Sequence, residues 1–361
     1  MLVRITIVGC GVVGATIAYE LSKVPDLEIT VVDAQPTPVQ ADLQECPTAT
    51  GAALGVLMGA ISKKEKGRNL RMRLFGIQYY NDVVPELEAL TGRSIPFNRE
   101  GILMLQFSDD LEVWKRLIEV RRKQDLTLEI WDQDRLQSEF PFLDRATAAI
   151  YSPCDRQINP VALTQALIEG AKLRGVNFQF GTKVLGRQGN QLQTSQGILE
   201  SDYLVISAGV GTSGIETSIN IRPVLGQAIQ VRLAKPLGDR PFPVITGDDV
   251  HLVSIGNSEY WIGATVEFPT EAGEVLPPDR AMFDQVMRQA IEFCPSLKDA
   301  EPIRTWFGLR PRPQGRPAPI IEELEPNVLL ATGHYRNGVL LAPATAAHVR
   351  AKILQIDLAE L

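Results

Sequence analysis

The sequence predicts an α/β fold in which a parallel sheet with flanking helices is interrupted by a mixed or antiparallel β-sheet. Three observations support this prediction. A strand, a glycine-rich turn, a helix and a second strand open the chain over residues 2–33. Short β-rich runs fill residues 226–266, and a strand, a loop and a helix return over residues 327–358. Strands that alternate with helices are typical of parallel sheets, whereas short strands joined by turns are typical of antiparallel sheets.

The opening unit is predicted from its apolar periodicity. Residues 2–8 alternate among β-forming residues and stop at Gly9, and residues 12–21 have helical spacing. Residues 28–33 form a second short apolar run that ends in an acid, Asp33. A β-α-β unit of about 30 residues places its two strands parallel in one sheet.

The rest of the chain divides by the same signals. Residues 109–124 have apolar positions at helical intervals beside a basic face, and a helix is expected from Pro160 to Gly175. The prolines concentrated in residues 302–326 predict extended crossings between two lobes. The remaining predicted elements are strands at 176–180, 203–208, 228–233, 251–255, 260–266 and 327–332, a loop at 333–338 and a helix at 344–358.

Length, charge and cysteine content exclude several classes of protein. The 361 residues suggest two domains, at roughly 100–200 residues each. A net charge of −7, from 36 basic and 43 acidic residues, argues against nucleic acid or an anionic membrane as a partner. Cys10, Cys46, Cys154 and Cys294 lack metal-ligand or disulfide spacing, so we expect free thiols, no metal site and a cytoplasmic location. Residues 46–62 are uncharged but rich in glycine and hydroxyl groups, so no membrane span is expected.

The glycine-rich turn carries the strongest functional signal. Gly9 permits a tight turn, Gly11 lets a pyrophosphate approach the backbone, and Gly14 lets the helix pack closely on the strand. The free N–H groups and the positive dipole end of the helix then meet the phosphates. Asp33 follows Gly14 by 19 residues and can accept from ribose hydroxyls. In this context dinucleotide binding is favoured over a purely structural turn.

The choice between NAD and FAD depends on the rest of the chain. The chain has three histidines, His251, His334 and His348, and so offers few acid/base candidates for a nicotinamide dehydrogenase. Residues 331–341 form a second strand, loop and helix start far from the first, and a cofactor touched at both chain ends is long. FAD is therefore favoured, and a NAD-dependent dehydrogenase is the alternative.

Four segments resemble the D-amino-acid oxidase superfamily of FAD flavoproteins, and within it the glycine oxidases of thiamine biosynthesis. The segments are residues 9–33, 49–57, 306–311 and 333–345. The resemblance extends over nearly the whole chain and implies a Rossmann-like FAD-binding domain with an inserted substrate domain. The expected boundaries are 1–80, 145–215 and 300–361 for the FAD-binding domain, and 81–144 and 216–299 for the substrate-binding domain.

The resemblance also implies which residues bind the cofactor. Residues near the flavin and its phosphates come from the second segment, the backbone of Val184 reads the adenine, and the loop from His334 wraps the flavin. No cysteine stands where related enzymes tether the flavin, so we expect FAD to be non-covalent. The full expected set is Gly9, Gly11, Val12, Val13, Gly14, Asp33, Ala34, Ala49, Thr50, Leu54, Gly55, Val56, Val184, Ala208, Gly209, His334, Tyr335, Arg336, Asn337, Gly338, Val339 and Leu340.

Three residues are expected to face the substrate. Arg310 matches the family's anchor for the substrate carboxylate, and a planar guanidinium suits that role because it binds a carboxylate bidentately. Arg336 matches a second active-site arginine, with a structural ion pair as the alternative. His251 stands where the family has a substrate-facing tyrosine and would add pH dependence near its usual pKa of about 6.5, unless it is an ordinary strand histidine. Val56 and Val266 replace larger residues, which alters the expected side-chain pocket.

The resemblance implies oxidative deamination of glycine, sarcosine or a small D-amino acid, giving a 2-oxo acid, ammonia or an amine, and hydrogen peroxide. The expected partners are the amino acid and dioxygen, and a homo-oligomer is expected. Two alternatives stay open. One is a dehydrogenase of the same fold that passes electrons to a quinone or protein, and the other is a flavin-binding subunit without turnover.

Overall fold

The computed structural model describes residues 2–39 and 48–357, and these contain two large β-sheets. Cys46 and Leu358, which belong to two of the sequence predictions, lie outside the described residues. Cys10, Cys154 and Cys294 are free thiols. Within the described ranges, no helix is both long and apolar enough to cross a lipid bilayer.

The first large sheet contains six strands and is mostly parallel. Its central strands are parallel to their neighbours, and only one edge strand is antiparallel. This confirms the predicted parallel sheet. In spatial order the strands are β19 (Ile320–Glu325), β20 (Val328–Thr332), β13 (Tyr203–Ile206), β1 (Val3–Val8), β2 (Leu27–Asp33) and β9 (Asn177–Phe180).

Four helices pack beside this sheet and share one core with it. That core is apolar and closed to solvent, with Ile7, Tyr19 and Leu167 each 0% exposed. One of the helices begins as its sequence predicts, because the Asn159 side chain accepts from Ala162 N at 3.0 Å and a proline follows it at the first helical position. The helices are α1 (Val12–Ser22), α3 (Arg68–Thr91), α6 (Pro160–Leu173) and α9 (Gly338–Leu354).

The second large sheet contains eight strands and is mixed. All neighbouring strands are antiparallel except β5 and β15, which are parallel. In spatial order the strands are β18 (Glu301–Pro313), β14 (Ile221–Arg232), β17 (Glu259–Gly263), β16 (Val250–Gly256), β15 (Val244–Gly247), β5 (Ile102–Gln106), β7 (Ala148–Ser152) and β6 (Glu129–Asp132). Helices that pack with it are α4 (Glu112–Arg122), α5 (Gln133–Glu139) and α8 (Arg280–Phe293).

Short elements complete the described fold. The strands of one small sheet follow β9 in the chain. The other small sheet joins two strands from the stretch between β2 and β5 with one strand from between β7 and β9. The strands of the first are β10 (Val184–Gln188), β11 (Gln191–Thr194) and β12 (Gly197–Glu200). Those of the second are β3 (Val56–Leu57), β8 (Arg156–Ile158) and β4 (Phe97–Asn98). Two short helices are α2 (Ala49–Ala52) and α7 (Thr212–Ile215).

Two sequence predictions differ from the structure at segments that contain proline. Much of the proline-rich stretch that was expected to be extended crossings is β18, a 13-residue strand. It is an edge strand, where proline costs little because one side makes no ladder hydrogen bonds. Helix α9 begins at Gly338 rather than at residue 344, although Pro343 lies inside it. Pro343 has no N–H for the carbonyl of Val339, and the Tyr80 hydroxyl donates to that oxygen at 2.5 Å instead.

One further strand boundary differs from expectation. The strand expected over residues 260–266 ends at Gly263 as β17, which pairs with β14. Beyond it, an isolated bridge between Leu225 and Glu267 continues the pairing with β14. Strands β7 and β18 belong to the eight-stranded sheet. Helix α3 shares one hydrophobic core with α9. The boundaries between the two domains stay a prediction.

Candidate active site

A cavity of about 1050 Å³ opens where the parallel strands end. Its walls include the residues that follow the carboxyl ends of β1, β2, β13 and β20. In open parallel sheets this edge is the usual place for a ligand, because the loops and helix N-termini meet there. Residues of β14, β16 and β18 complete the wall from the eight-stranded sheet. The cavity therefore lies between the two large sheets.

The glycine turn has the conformation that its sequence predicts. Gly9 has a φ of +96°, and a Cβ there would lie 2.7 Å from the carbonyl oxygen of Ser207. Gly14 does not line the cavity, and a Cβ there would lie 1.9 Å from Gly9 O. Its part is therefore the close packing of α1 on the turn. Gly11 faces the cavity, and the Thr50 hydroxyl accepts from the N–H of Val12 at 3.0 Å.

Asp33 is held beside this turn by two backbone groups. Its Oδ2 accepts from Cys10 N at 2.5 Å and its Oδ1 accepts from Gln35 N at 2.7 Å. Each carboxylate oxygen has a second lone pair, so the group can still accept from a ligand hydroxyl. The hydrogen bonds fix the carboxylate at the cavity wall, where Ala34 follows it.

The segment after Thr48 forms a second part of the wall. Thr48 caps α2 by accepting from Gly51 N at 3.0 Å, and Trp306 Nε1 donates to Ala52 O at 3.1 Å. A Cβ on Gly308 would lie 2.4 Å from the Cβ of Ala52. Glycine at 308 therefore lets β18 lie directly against α2, which brings the expected cofactor segment next to the strand of Arg310.

The loop before α9 forms the third part of the wall. Tyr335 has a φ of +53°, a conformation that is rare for a bulky residue, and its ring lies 5.6 Å from the guanidinium carbon of Arg312. His334 is buried, and its Nε2 lies 2.8 Å from the Thr345 hydroxyl. Burial lowers the pKa of His334 to about 4, so the ring is neutral at pH 7. The His334 side chain thus ties the loop to α9.

Arg310 reaches the cavity from the edge strand β18. Its Nη1 donates to the carbonyl oxygens of Leu225 at 3.1 Å and Thr265 at 3.0 Å. Burial, and then the positive charge of Arg336, lower the pKa of Arg310 to about 10. Within residues 2–39 and 48–357 no carboxylate forms an ion pair with it. The guanidinium therefore retains donors for an anion in the cavity.

Arg336 faces the same space from the α9 side. Its Nη1 lies 3.5 Å from Oδ2 of Asp249, whose side chain is 82% exposed. Asp249 sits at the tip of the β15–β16 hairpin, where both Asp248 and Asp249 have positive φ. An ion pair this exposed is worth little, about 0–1 kcal/mol. Arg336 can therefore exchange this weak ion pair for one with an anionic ligand in the cavity.

His251 also lines the cavity, but its expected titration near pH 6.5 is wrong. Burial lowers its pKa to about 4, and the charges of Arg336 and Arg310 act in the same direction against that of Asp249. The ring is therefore neutral throughout the physiological pH range. Its Nδ1 lies 3.0 Å from the hydroxyl of Thr246.

The family model described as DAO, FAD dependent oxidoreductase, matches residues 4–351. The chain belongs to this DAO family. FAD is accordingly the cofactor that the cavity must hold, and the described residues fit it. The glycine turn, Asp33 and Arg310, which lies beside β14, all line this one cavity. A Cβ on Gly209 or Gly214 would meet no atom within 4 Å, so these glycines leave room at the cavity wall.

Relatives of this DAO-family chain include a bifunctional ThiO/ThiG protein and a glycine oxidase. It is 28% identical over 360 residues to the bifunctional protein ThiO/ThiG of Nostoc sp., covering 97% of this chain and 52% of that protein. It is 26% identical over 353 residues to glycine oxidase of Bacillus subtilis, covering 94% and 90%. The chain thus spans about half the length of the ThiO/ThiG relative.

The fold is also similar to a solved structure, the glycine oxidase of Geobacillus kaustophilus. The TM-score is 0.86 at 23% identity, with 99% of this chain and 97% of that chain covered. This likeness confirms the predicted fold class: a Rossmann-like FAD-binding domain with an inserted mixed sheet.

Most residues expected at the site of this DAO-family protein do line the cavity. The exceptions are Gly14, which packs, and Asn337, whose N–H donates to His334 O at 3.1 Å. Val56 lines the cavity and Val266 does not. The expected residues that line it are Gly9, Gly11, Val12, Val13, Asp33, Ala34, Ala49, Thr50, Leu54, Gly55, Val56, Val184, Ala208, Gly209, His251, Arg310, His334, Tyr335, Arg336, Gly338, Val339 and Leu340.

Sequence reasoning did not assign several other lining residues to the site. Gly226 and Gly308 lie in segments that match the family, but nothing in their local sequence says that they face a ligand. Ala264 follows the end of β17 and also lines the wall. The roles of all the expected residues in binding FAD and substrate stay proposals.

Proposed function

We propose that this chain is an FAD-dependent amino-acid oxidase that oxidatively deaminates a small amino acid, namely glycine, sarcosine or a small D-amino acid. The observation that carries the proposal is Arg310, a guanidinium in the wall of a dinucleotide-sized cavity, with no acidic partner among the described residues. The name of the Bacillus subtilis relative, glycine oxidase, supports glycine as the first substrate to test.

Arg310 would bind the substrate carboxylate. Its Nη1 is held by two carbonyl oxygens, which orients the remaining donors of the guanidinium fork. A bidentate contact of this kind fixes direction as well as position, so the α-carbon is held at one place in the cavity. Arg336 and the neutral ring of His251 stand nearby and can add donors to the same carboxylate.

The two arginines also favour the reactive form of the amine. Positive charges in a partly buried site disfavour an ammonium group, so they lower its pKa and promote loss of its proton. The chemistry that FAD supplies when bound is acceptance of a hydride from Cα and return of two electrons to dioxygen as hydrogen peroxide. The imine left from the substrate then takes up water and gives a 2-oxo acid and ammonia, or methylamine from sarcosine. No protein base is needed for this sequence.

The proposal includes non-covalent FAD, dioxygen as acceptor, a cytoplasmic location and a homo-oligomer. A dehydrogenase of the same fold would bind the same amino acids but would pass its electrons to a quinone or to a protein. A flavin-binding subunit without turnover would bind FAD only. These alternatives differ in what happens to substrate and oxygen.

A peroxide-coupled screen of glycine, sarcosine and D-amino acids under air tests the proposal. We expect peroxide with at least one small amino acid, abolished when catalase is added, and release of free FAD when the protein is denatured. Turnover with an artificial electron acceptor but without peroxide would favour the dehydrogenase. No turnover in either assay would contradict the proposal.

A further inference from the structure

Thr246 and His251 face each other across the hairpin formed by β15 and β16. They are directly opposite residues in its antiparallel register. The Thr246 hydroxyl lies 3.0 Å from His251 Nδ1, and this is its only hydrogen bond to any residue in 2–39 and 48–357. Thr246 is 3% exposed, so water does not compete for this contact.

The contact leaves Nε2 as the ring nitrogen available to a ligand. His251 lines the cavity together with Arg310 and Arg336. No residue that the structure describes forms a hydrogen bond with Nε2. A molecule bound at the two arginines would therefore meet this nitrogen rather than Nδ1.

The position of the proton on the ring decides whether the interaction of Nε2 with this ligand is favourable. A neutral imidazole has one N–H donor and one acceptor, and a threonine hydroxyl can serve either of them. If Thr246 donates to Nδ1, the proton is on Nε2, which donates to an anion. If Thr246 accepts from Nδ1, then Nε2 presents a lone pair, which repels a carboxylate. Only the first arrangement suits an anion held by Arg310.

We propose that Thr246 is a positioning residue that holds His251 as the Nε2–H tautomer, so that the ring donates a hydrogen bond to the carboxylate of the substrate. The inference rests on the proposed function, because a carboxylate must occupy the cavity for the hydrogen bond to form. Such a donor adds affinity without adding a third positive charge to the site. The hydrogen bond from His251 also determines which side of the carboxylate remains for Arg310 to bind.

The test compares the holoenzyme with its Thr246→Val and Thr246→Ser variants. Valine has nearly the same shape without the hydroxyl, and serine keeps the hydroxyl. The tautomer is read from ¹⁵N resonances of labelled histidine in the ligand-free holoenzyme. The chain has only three histidines, so the His251 resonances are assigned by their loss in His251→Asn. We expect Nε2–H in the wild type and in Thr246→Ser, and a mixture or Nδ1–H in Thr246→Val.

Binding is read separately with acetate, a carboxylate without an amine, from the perturbation of the flavin absorbance. Loss of one neutral hydrogen bond weakens binding about threefold to tenfold. We expect that loss in Thr246→Val for acetate and in the KM of the amino acid, with kcat changed less than twofold. Thr246→Ser should stay within twofold of the wild type in both measurements.

The Nδ1–H tautomer in the wild type would overturn the inference even if no variant folds. Unchanged acetate affinity and tautomer in Thr246→Val would overturn it as well. A wild-type holoenzyme that neither binds acetate nor oxidises any amine would contradict the proposed function and the carboxylate contact together. Binding and turnover in the wild type with no effect of Thr246→Val would contradict only the inference.

Discussion

The guanidinium of Arg310 lies against the backbone of Gly226 on the neighbouring strand. A Cβ built on Gly226 would fall 2.2 Å from Nη2 and 2.4 Å from the guanidinium carbon. The two residues are 84 positions apart in the chain, and the pairing of β14 with β18 brings them together. The absence of a side chain at 226 is therefore what allows the arginine to lie at the cavity wall.

Gly226→Ala should displace Arg310 and weaken the binding of carboxylates. We expect at least a tenfold rise in the dissociation constant of acetate, because the bidentate geometry requires the guanidinium in place. Gly186→Ala is the matched control, since a Cβ there meets no atom within 4 Å. FAD content should stay the same in both variants. Normal acetate affinity in Gly226→Ala would show that the guanidinium tolerates the displacement.

Arg310→Ala should keep FAD and lose substrate affinity. Removal of the charge partner of a desolvated carboxylate costs about 2–5 kcal/mol, so the apparent substrate affinity should fall by a factor of thirty or more, about 2 kcal/mol at the least. Arg316→Ala is the control, because Arg316 is a half-exposed arginine that pairs with Glu322 away from the cavity wall. The measurement is the substrate dependence of peroxide formation. An unchanged KM would remove Arg310 from the site.

The local chemistry of the site could be predicted from sequence, but its cross-strand contacts could not. The glycine turn and Asp33 belong to one local sequence pattern whose physical basis is known, and they lie where the pattern predicts. Gly226 and Thr246 act through residues on neighbouring strands, and strand register cannot be derived from a single sequence. Their importance therefore becomes visible only when Arg310 and His251 are placed in space.

The errors in the fold prediction have the same origin. The prolines of residues 302–326 were expected in extended crossings, yet those in β18 lie in an edge strand of a sheet. The helix expected from residue 344 begins at Gly338 and contains Pro343, and the carbonyl that Pro343 leaves unpaired finds a donor 259 residues away at Tyr80. In both places the tertiary structure offsets the local free-energy cost of proline, either by a contact or by a position at a sheet edge. Local rules describe that cost correctly but cannot supply the partner.

Tyr80→Phe should therefore destabilise the start of α9. The change leaves Val339 O without its donor inside a core where Tyr80 is 0% exposed, which costs about 1–3 kcal/mol. Val339 and Leu340 line the cavity, so FAD affinity should fall as well. Tyr203→Phe is a control, because no described residue bonds the Tyr203 hydroxyl. The measurements are urea unfolding and FAD titration. A Tyr80→Phe protein as stable as the control would show that the Tyr80 hydroxyl does not stabilise the start of α9.

Stability should fall as the pH is lowered from about 6.5 towards 4. The pKa values of His251 and His334 are both lowered to about 4, chiefly by burial, whereas the unfolded chain protonates its histidines near 6.5. Between these values the unfolded state binds more protons, so each histidine costs up to about 1.4 kcal/mol of stability per pH unit on acidification. Acetate binding should show no inflection near pH 6.5 from His251.

Urea unfolding at pH 7 and pH 5, with fixed protein and FAD concentrations, measures this effect. The His251→Gln variant removes one of the two groups. Its free energy of unfolding should therefore fall by about 1–2 kcal/mol less than that of the wild type between pH 7 and pH 5. An equal loss in the variant and the wild type would mean that His251 takes up its proton at the same pH in both states.

In the proposed reaction a small amino acid reduces the bound flavin. The direct measurement is an anaerobic titration of the purified holoenzyme with glycine, sarcosine and D-alanine, followed through the absorbance of oxidised flavin. We expect bleaching by at least one of them, and recovery of the absorbance with formation of hydrogen peroxide when air is admitted. A yellow protein whose absorbance is unchanged by every small amino acid would contradict it.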